Sequence, residues 1–251
     1  MIKKENLNKR VATAVALVLF VAFVGLIDNM FLIWFCIGLF MIVSVDEARI
    51  LFGIENKAPI TYALIVWIVA LFYPKPEDLV FVVAIVFASI LAYKGTADKR
   101  VFSVLLYPVV SYLFLFSLYL GFGIGGLLWL IVIVVSVDIG AYFTGKKFGK
   151  RKFSSTSPNK TIEGVVGGVT IATIVGSFFT ITELSLVVGI VISFVVAVSS
   201  IFGDLFESYL KREAGVKDSG NILPGHGGVL DRTDGYLFAG IVMVVLIRMV
   251  V

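Results

Sequence analysis

The chain has 251 residues, 59% of them hydrophobic and only 15% charged, with a mean hydropathy of +1.05. A soluble domain runs nearer half apolar and a quarter charged, so the composition excludes an ordinary soluble protein and predicts an all-α, polytopic integral membrane protein. The net charge of +4 is not a nucleic-acid signature, because the bases sit between apolar runs where membrane topology alone accounts for them.

The first 27 residues place Lys3, Lys4, Lys9 and Arg10 ahead of an apolar stretch, as a secretory signal would. No small-residue cleavage pattern closes the stretch and further runs follow at once, so it reads as a first transmembrane helix. Apolar runs fall at 11–27, 30–45, 59–73, 79–93, 101–120, 127–143, 164–180, 184–210 and 234–251, which predicts a bundle of about nine transmembrane helices. Several are shorter than the roughly 20 residues of a perpendicular crossing. The pairs 11–27 with 30–45 and 59–73 with 79–93 are therefore expected to tilt or to cross incompletely. Pro74 and Pro76, the stretch Gly121 to Gly126, and Ser157-Pro158-Asn159 punctuate the runs. Cys36, the single cysteine, lies inside an apolar run; it reads as packing and permits no intramolecular disulfide. Residues 1–100 read as generic apolar helices and 101–251 as the part that carries the polar clusters, within one membrane domain.

With the N-terminus inside and the loops assigned alternately, 19 of the 21 Lys and Arg residues fall on the inner side, and only Lys75 and Arg248 outside. The positive-inside rule then orients the chain N-in and C-out, with both polar clusters facing the cytoplasm and, in a bacterium, the protein in the cytoplasmic membrane. No internal repeat is visible, so the inverted halves common in secondary transporters have no trace here.

The first polar cluster runs from Asp138 to Gly164. Asp138 and Tyr142 are four apart and share a helix face, with Asp138 embedded after an apolar stretch. Lys146, Lys150 and Arg151 read as topology anchors. Ser157-Pro158-Asn159-Lys160-Thr161 opens the next helix with hydroxyls, a lysine and free backbone N–H groups together, a combination that holds phosphate. Lys160 is the leading phosphate contact there, with Asn159 beside it.

The second cluster begins inside the eighth run. Asp204, Glu207, Ser208, Lys211 and Arg212 follow helical spacing, and an acid still flanked by Phe202, Leu205 and Phe206 implies a polar cavity or partner for Asp204. Glu207 and Glu213 read instead as charge on a helix emerging into water. Lys217-Asp218 and Asp231-Arg232-Thr233-Asp234 then bracket a loop containing Gly220, Gly225, Gly227 and Gly228. Three carboxylates gathered by such a loop suit Mg²⁺, which takes one or two carboxylates and completes its octahedron with water and substrate phosphates. Asp231 and Asp234 also fit the blander role of acids at a helix N-terminus. His226, the only histidine, sits among glycines that allow close backbone approach to a phosphate or sugar, or serves as an ordinary hydrogen-bonding group.

Residues 208–234 read Ser-x-apolar-Lys-Arg, four residues, Lys-Asp, then Pro-x-His-Gly-Gly-apolar-x-Asp-Arg-x-Asp. This resembles, without a departure, the signature of phosphatidate cytidylyltransferases. The 138–160 region and the helix number also resemble that family. The resemblance implies that CTP and phosphatidic acid give CDP-diacylglycerol and pyrophosphate with Mg²⁺ required, the lipid phosphate attacking the α-phosphorus. It implies catalytic roles for Lys217, Asp218, Asp231 and Asp234, and metal binding by Asp218, Asp231, Asp234 and Asp204. Substrate contacts fall to Ser208, Lys211, Arg212, His226, Arg232, Lys160, Asn159, Asp138 and Tyr142. A second cation and a homodimer stay open, and the partners are CTP, the lipid and the bilayer rather than nucleic acid. A transporter would use Asp138 and Asp204 as coupling-ion groups, but the charge density of 208–234 suits phosphates better. The Asp-Gly-x-x-Ala-Arg pattern of CDP-alcohol phosphotransferases is absent, and a CTP-dependent lipid kinase is separated only by its product.

Overall fold

The computed structural model describes residues 2–95, 98–182 and 184–251, with side chains from residue 12 onward; the side chains of Lys3, Lys4, Lys9 and Arg10 lie outside the described set. Among the described residues the chain is all-helical, and its extended pairings are two isolated antiparallel bridges, Lys152 with Thr161 and Leu223 with Gly227. The helices are α1 (Ile2–Ile27), α2 (Met30–Leu51), α3 (Ala58–Phe72), α4 (Leu79–Lys94), α5 (Arg100–Val104), α6 (Ser111–Phe148), α7 (Ile162–Ser177), α8 (Leu186–Glu213) and α9 (Leu230–Arg248). A 3₁₀ turn, Pro76–Asp78, leads into α4, and a π-helical turn, Leu105–Val110, joins α5 to α6. Among the described residues four stretches are long and apolar enough to cross a membrane: Met30–Leu51, Pro76–Lys94, Arg100–Phe148 and Leu186–Glu213. Ala12–Ile27, α3 and α7 are shorter apolar helices.

The runs expected at 101–120 and 127–143 are not separated by a loop. Arg100–Phe148 runs through 49 residues with no intervening loop, but helical geometry is broken twice within it, at Tyr107 (φ −136°, ψ 113°) and at Gly123 (φ 62°, ψ −164°). The Gly123 region of backbone space is open only to glycine, so the two expected runs meet at a kink at Gly123, inside the Gly121–Gly126 stretch. α2 extends to Leu51, beyond the apolar letters, because Asp46 and Arg49 pair three residues apart at 2.6 Å and continue the helix. Asn29 begins α2, its side-chain oxygen accepting the N–H groups of Phe31 at 3.0 Å and Leu32 at 3.1 Å.

The chain forms two compact units. One comprises Met1–Phe116 with Glu213–Arg232, the other Ser117–Arg212 with Thr233–Val251. In the first, α2 packs on α3, on α5 and on the π-helical turn. Trp34 stacks on Trp67 with centroids 6.2 Å apart, and Trp67 leans on Phe116 at 5.5 Å. The Ser44 and Tyr112 hydroxyls hydrogen-bond at 2.8 Å inside this core.

In the second unit α7 lies against the second half of α6. Gly164 and Gly168, four apart on α7, make the close approach: a Cβ on Gly168 would fall 2.7 Å from the Val137 carbonyl oxygen, and one on Gly164 2.9 Å from that of Ala141. Small residues at this spacing let two backbones touch where lipid supplies no hydrophobic drive. Trp129 on α6 donates through Nε1 to Ser193 Oγ on α8 at 3.2 Å. α8 meets α9 at Gly203, where a Cβ would lie 2.5 Å from the Asp234 carbonyl oxygen.

Candidate active site: two charged clusters

The second unit gathers the carboxylates of three helices. Asp204 on α8 forms an ion pair with Lys160, and Ser208 Oγ donates to its other oxygen at 3.4 Å. Asp138 on α6, Asp204 and Lys211 all lie within Coulombic reach of Asp234 on α9. The polar partner that an intramembrane Asp204 demanded is thus Lys160, which reaches it from the loop ahead of α7. That loop is ordered by its own bonds. Phe153 N–H donates to Lys160 O at 2.8 Å and Ile162 N–H to Arg151 O at 2.9 Å, while Thr161 caps α7 by accepting Gly164 N–H at 3.1 Å. Glu163 accepts the backbone N–H groups of Lys150 at 3.0 Å and Arg151 at 3.2 Å, and pairs with the Arg151 guanidinium at 3.0 Å. These donors, the Lys150 N–H first, push the half-buried Glu163 carboxyl down to about 2.

Other positions in this unit stand differently from one another. Lys211 is nearly buried and paired with Glu207, one helical turn before it. Glu207 is fully buried, which corrects its reading as a solvated charge: the helix has not yet emerged into water at that turn, and the acid is buried together with its base. Tyr142 is exposed on α6, with the Lys146 ammonium 5.8 Å from its ring centroid. Asp138, Asn159 and Arg212 are exposed.

The first unit holds the glycine-rich loop, folded around two buried carboxylates. Oδ2 of Asp231 accepts Ser219 N–H at 2.8 Å, Gly228 N–H at 2.8 Å and the Ser219 hydroxyl at 3.0 Å. Glu47, from the end of α2, accepts Val229 N–H at 3.0 Å on Oε1, and on Oε2 Leu230 N–H at 2.7 Å and the Ser219 hydroxyl at 3.0 Å. A buried carboxylate is tolerable only with such donors, and Val229 and Leu230 supply them because the first N–H groups of α9 have no partner within the helix. The space opened by the glycines is filled by these acids. A Cβ on Gly228 would lie 2.5 Å from both Glu47 oxygens, one on Gly220 2.5 Å from Oε1, and one on Gly227 2.6 Å from Asp231 Oδ2.

Around this frame Lys217, Asp218 and Arg232 remain exposed. Arg232 donates through Nε to the His226 carbonyl at 3.1 Å. His226 is half-buried, in a turn closed by its N–H to Leu223 O at 2.9 Å, and its ring Nδ1 is buried with no hydrogen-bond partner among the described residues. Sequence reasoning missed Glu47 and Ser219. Glu47 lies between Asp46 and Arg49 at a helix end and carries no signal of its own.

The donor set can be tested against Mg²⁺. Among the described residues no three His, Cys, Asp or Glu side chains are gathered as a protein-only cage requires. Asp218 and Asp231 do flank one glycine: a Cβ on Gly227 would sit 3.4 Å from Asp218 Cβ and 2.6 Å from Asp231 Oδ2. One or two carboxylates completed by water and phosphate oxygens is the coordination Mg²⁺ prefers, so this pair fits that ion. With three donors already on Oδ2 of Asp231, a cation at that residue would use Oδ1.

A family model described as "Cytidylyltransferase family" matches residues 8–250. A Helicobacter pylori (strain J99) protein named phosphatidate cytidylyltransferase is 41% identical over 250 residues, covering 97% of this chain and 94% of that protein. Its namesake from H. pylori strain 26695 is 41% identical over 244 residues, 95% and 92% of the two chains. A Thermotoga maritima protein of the same name is 38% identical over 188 residues, 69% of each chain.

Proposed function

Since the chain belongs to the cytidylyltransferase family, we propose that it transfers the cytidylyl group of CTP to phosphatidate, giving CDP-diacylglycerol and pyrophosphate. The observation that carries this reading is the unbroken charge pattern of 208–234, whose glycine-rich loop is bonded to Glu47 and Asp231 while Lys217, Asp218 and Arg232 are left exposed. A structural loop would have little reason to hold two cations and an acid outward on a rigid frame; a loop that meets phosphates would.

In the proposed reaction an oxygen of the lipid phosphate attacks the α-phosphorus of CTP. The new O–P bond forms as the bond from that phosphorus to the α,β-bridging oxygen breaks, and pyrophosphate leaves with the electron pair. The attacking phosphate is already an anion, so no serine or cysteine nucleophile and no protein base is required. The chain's task is alignment and charge neutralisation. Lys217 and Arg232 are assigned to phosphate oxygens, Arg232 through the planar fork that suits bidentate contact. Lys160 and Asn159 serve a phosphate from the turn ahead of α7, with Asp204 as counter-charge to Lys160. Asp218 and Asp231 are assigned to Mg²⁺, with Asp234 added on the sequence pattern; the ion would supply charge neutralisation along the triphosphate. His226 and Ser208 are assigned to substrate polar groups.

The chain is read as crossing the membrane nine times, N-in and C-out, with this chemistry on the cytoplasmic side. The 19-to-2 partition of bases supports that orientation. The test of function is direct: purified protein in detergent, given phosphatidic acid, CTP and Mg²⁺, should form CDP-diacylglycerol, and Asp218→Asn should abolish most of the turnover without rescue by excess of either substrate. A wild-type preparation that consumes no CTP contradicts the reading and favours a transporter.

A further inference from the structure

Glu47 is remote in sequence from every residue assigned to the reaction, yet it is 4% exposed and accepts three hydrogen bonds from one short segment. Its Oε1 takes Val229 N–H, and its Oε2 takes Leu230 N–H and the Ser219 hydroxyl. Two of these donors are backbone groups at the start of α9, immediately before Asp231. The third belongs to the residue after Asp218.

The Ser219 hydroxyl lies 3.0 Å from Glu47 Oε2 and 3.0 Å from Asp231 Oδ2. A hydroxyl has a single proton to donate, so Ser219 joins the two acids through one shared donor, and displacing one acid releases it to the other. Thr13 on α1 adds a further tie, its hydroxyl donating to Pro224 O in the same loop at 3.1 Å. Two helices of the N-terminal part, which as sequence are only apolar spans, therefore fasten the charged loop.

We infer that Glu47 is a positioning residue for the transfer reaction: it fixes Ser219 and the first N–H groups of α9, and thereby the places of Asp218 and Asp231. The inference rests on the proposed reaction. Its physical content is the acceptor count. A glutamate presents two oxygens to three donors, whereas a glutamine of the same shape presents one oxygen and sets its NH₂ against either Val229 N–H or Leu230 N–H. Glu47→Gln thus keeps the volume and breaks the clasp.

Two readouts test it. In protein free of Mg²⁺ and substrate, amide hydrogen exchange over residues 219–231 should accelerate about tenfold in Glu47→Gln, the order expected on losing one charge-assisted hydrogen bond, while α6 and α8 exchange as in wild type. In turnover, the Mg²⁺ concentration for half-maximal rate should rise by a similar factor, a change that simple loss of folded protein cannot produce. Wild-type exchange and wild-type Mg²⁺ dependence in Glu47→Gln overturn the inference. So does reduced turnover that follows the folded fraction with unchanged Mg²⁺ dependence.

If Glu47→Gln loosens every helix, Ser219→Ala decides, because it removes only the shared hydroxyl. A raised Mg²⁺ requirement supports the inference and an unchanged one overturns it. Wild type that makes no CDP-diacylglycerol rejects the proposed reaction; active wild type with an indifferent Glu47→Gln rejects only the positioning role.

Discussion

Lys160 and Asp204 offer a test in which stability and function separate. They are replaced singly and together, as Lys160→Ala, Asp204→Asn and the double variant. The two side chains are 27% and 30% exposed, so the pair stands between two regimes. Exposed pairs contribute about 0.2–1 kcal/mol, and removing one partner of a fully buried pair costs about 3–5 kcal/mol. For this half-buried pair each single replacement should cost about 1–2 kcal/mol, and the double should cost less than the sum by about 1 kcal/mol. At about 2–4 °C per kcal/mol for a chain of this size, thermal unfolding in detergent resolves the difference. The double variant should fall short of the summed loss of stability and recover none of the lost turnover, since Lys160 is assigned to substrate as well as to Asp204. Lys160→Ala should raise the KM for CTP or for phosphatidate and be partly rescued by excess. Strict additivity of the two single effects would refute the ion pair, and wild-type KM values in Lys160→Ala would leave that lysine only as the counter-ion of Asp204.

Gly228→Ala should remove nearly all turnover, because its Cβ would sit 2.3 Å from Ser219 Oγ and 2.5 Å from both Glu47 oxygens, which are themselves held in place. Gly121→Ala, with nothing within 4 Å of the new methyl, should be active and up to about 1 kcal/mol more stable; equal behaviour of the two variants contradicts the packing argument. Glu163 ionises at about 2 in the folded chain against an ordinary 4.5, so its bonds to the loop act fully above pH 4.5 and fade as the pH falls to about 2. Thermal unfolding of Glu163→Gln against wild type should show a constant deficit from pH 8 to pH 5 that closes on further acidification, and a deficit that grows with acid would refute the assignment. For orientation, Cys36 is buried, so an added cysteine can be labelled against a quiet background. An impermeant reagent applied to intact cells should reach a cysteine placed after Val251 and miss Ser155→Cys, and labelling of the latter would reverse the topology.

The helices were legible because apolar runs of membrane length have few other uses. The charged loop was legible because so much charge beside apolar helices is costly without a polar task. The pairings that organise the clusters were not legible, since they join residues with no periodic relation. Glu47 and Ser219 are 172 positions apart, and Lys160 and Asp204 are 44 apart. Glu47 follows Asp46 and precedes Arg49 at a helix end, where acids ordinarily face water. Glu207 looked equally solvated for the same reason, although burial with Lys211 is its actual state. The loop glycines suggested room for a phosphate, and at Gly220, Gly227 and Gly228 that room is occupied by the chain's own carboxylates. Gly121 to Gly126 was legible as a break between two apolar runs, and helical geometry is interrupted there at Gly123; the letters alone do not show that the two helices meet at a kink with no loop between them.

In the proposed reaction the lipid phosphate attacks the α-phosphorus of CTP, and the fate of each phosphorus tests this directly. Purified protein in detergent should be given phosphatidic acid and Mg²⁺ with CTP radiolabelled at either the α- or the γ-phosphorus, and the lipid extracted. Label from the α position should appear in CDP-diacylglycerol, and label from the γ position should appear only in pyrophosphate. Transfer of γ label into the lipid would reveal a CTP-dependent lipid kinase and contradict cytidylyl transfer.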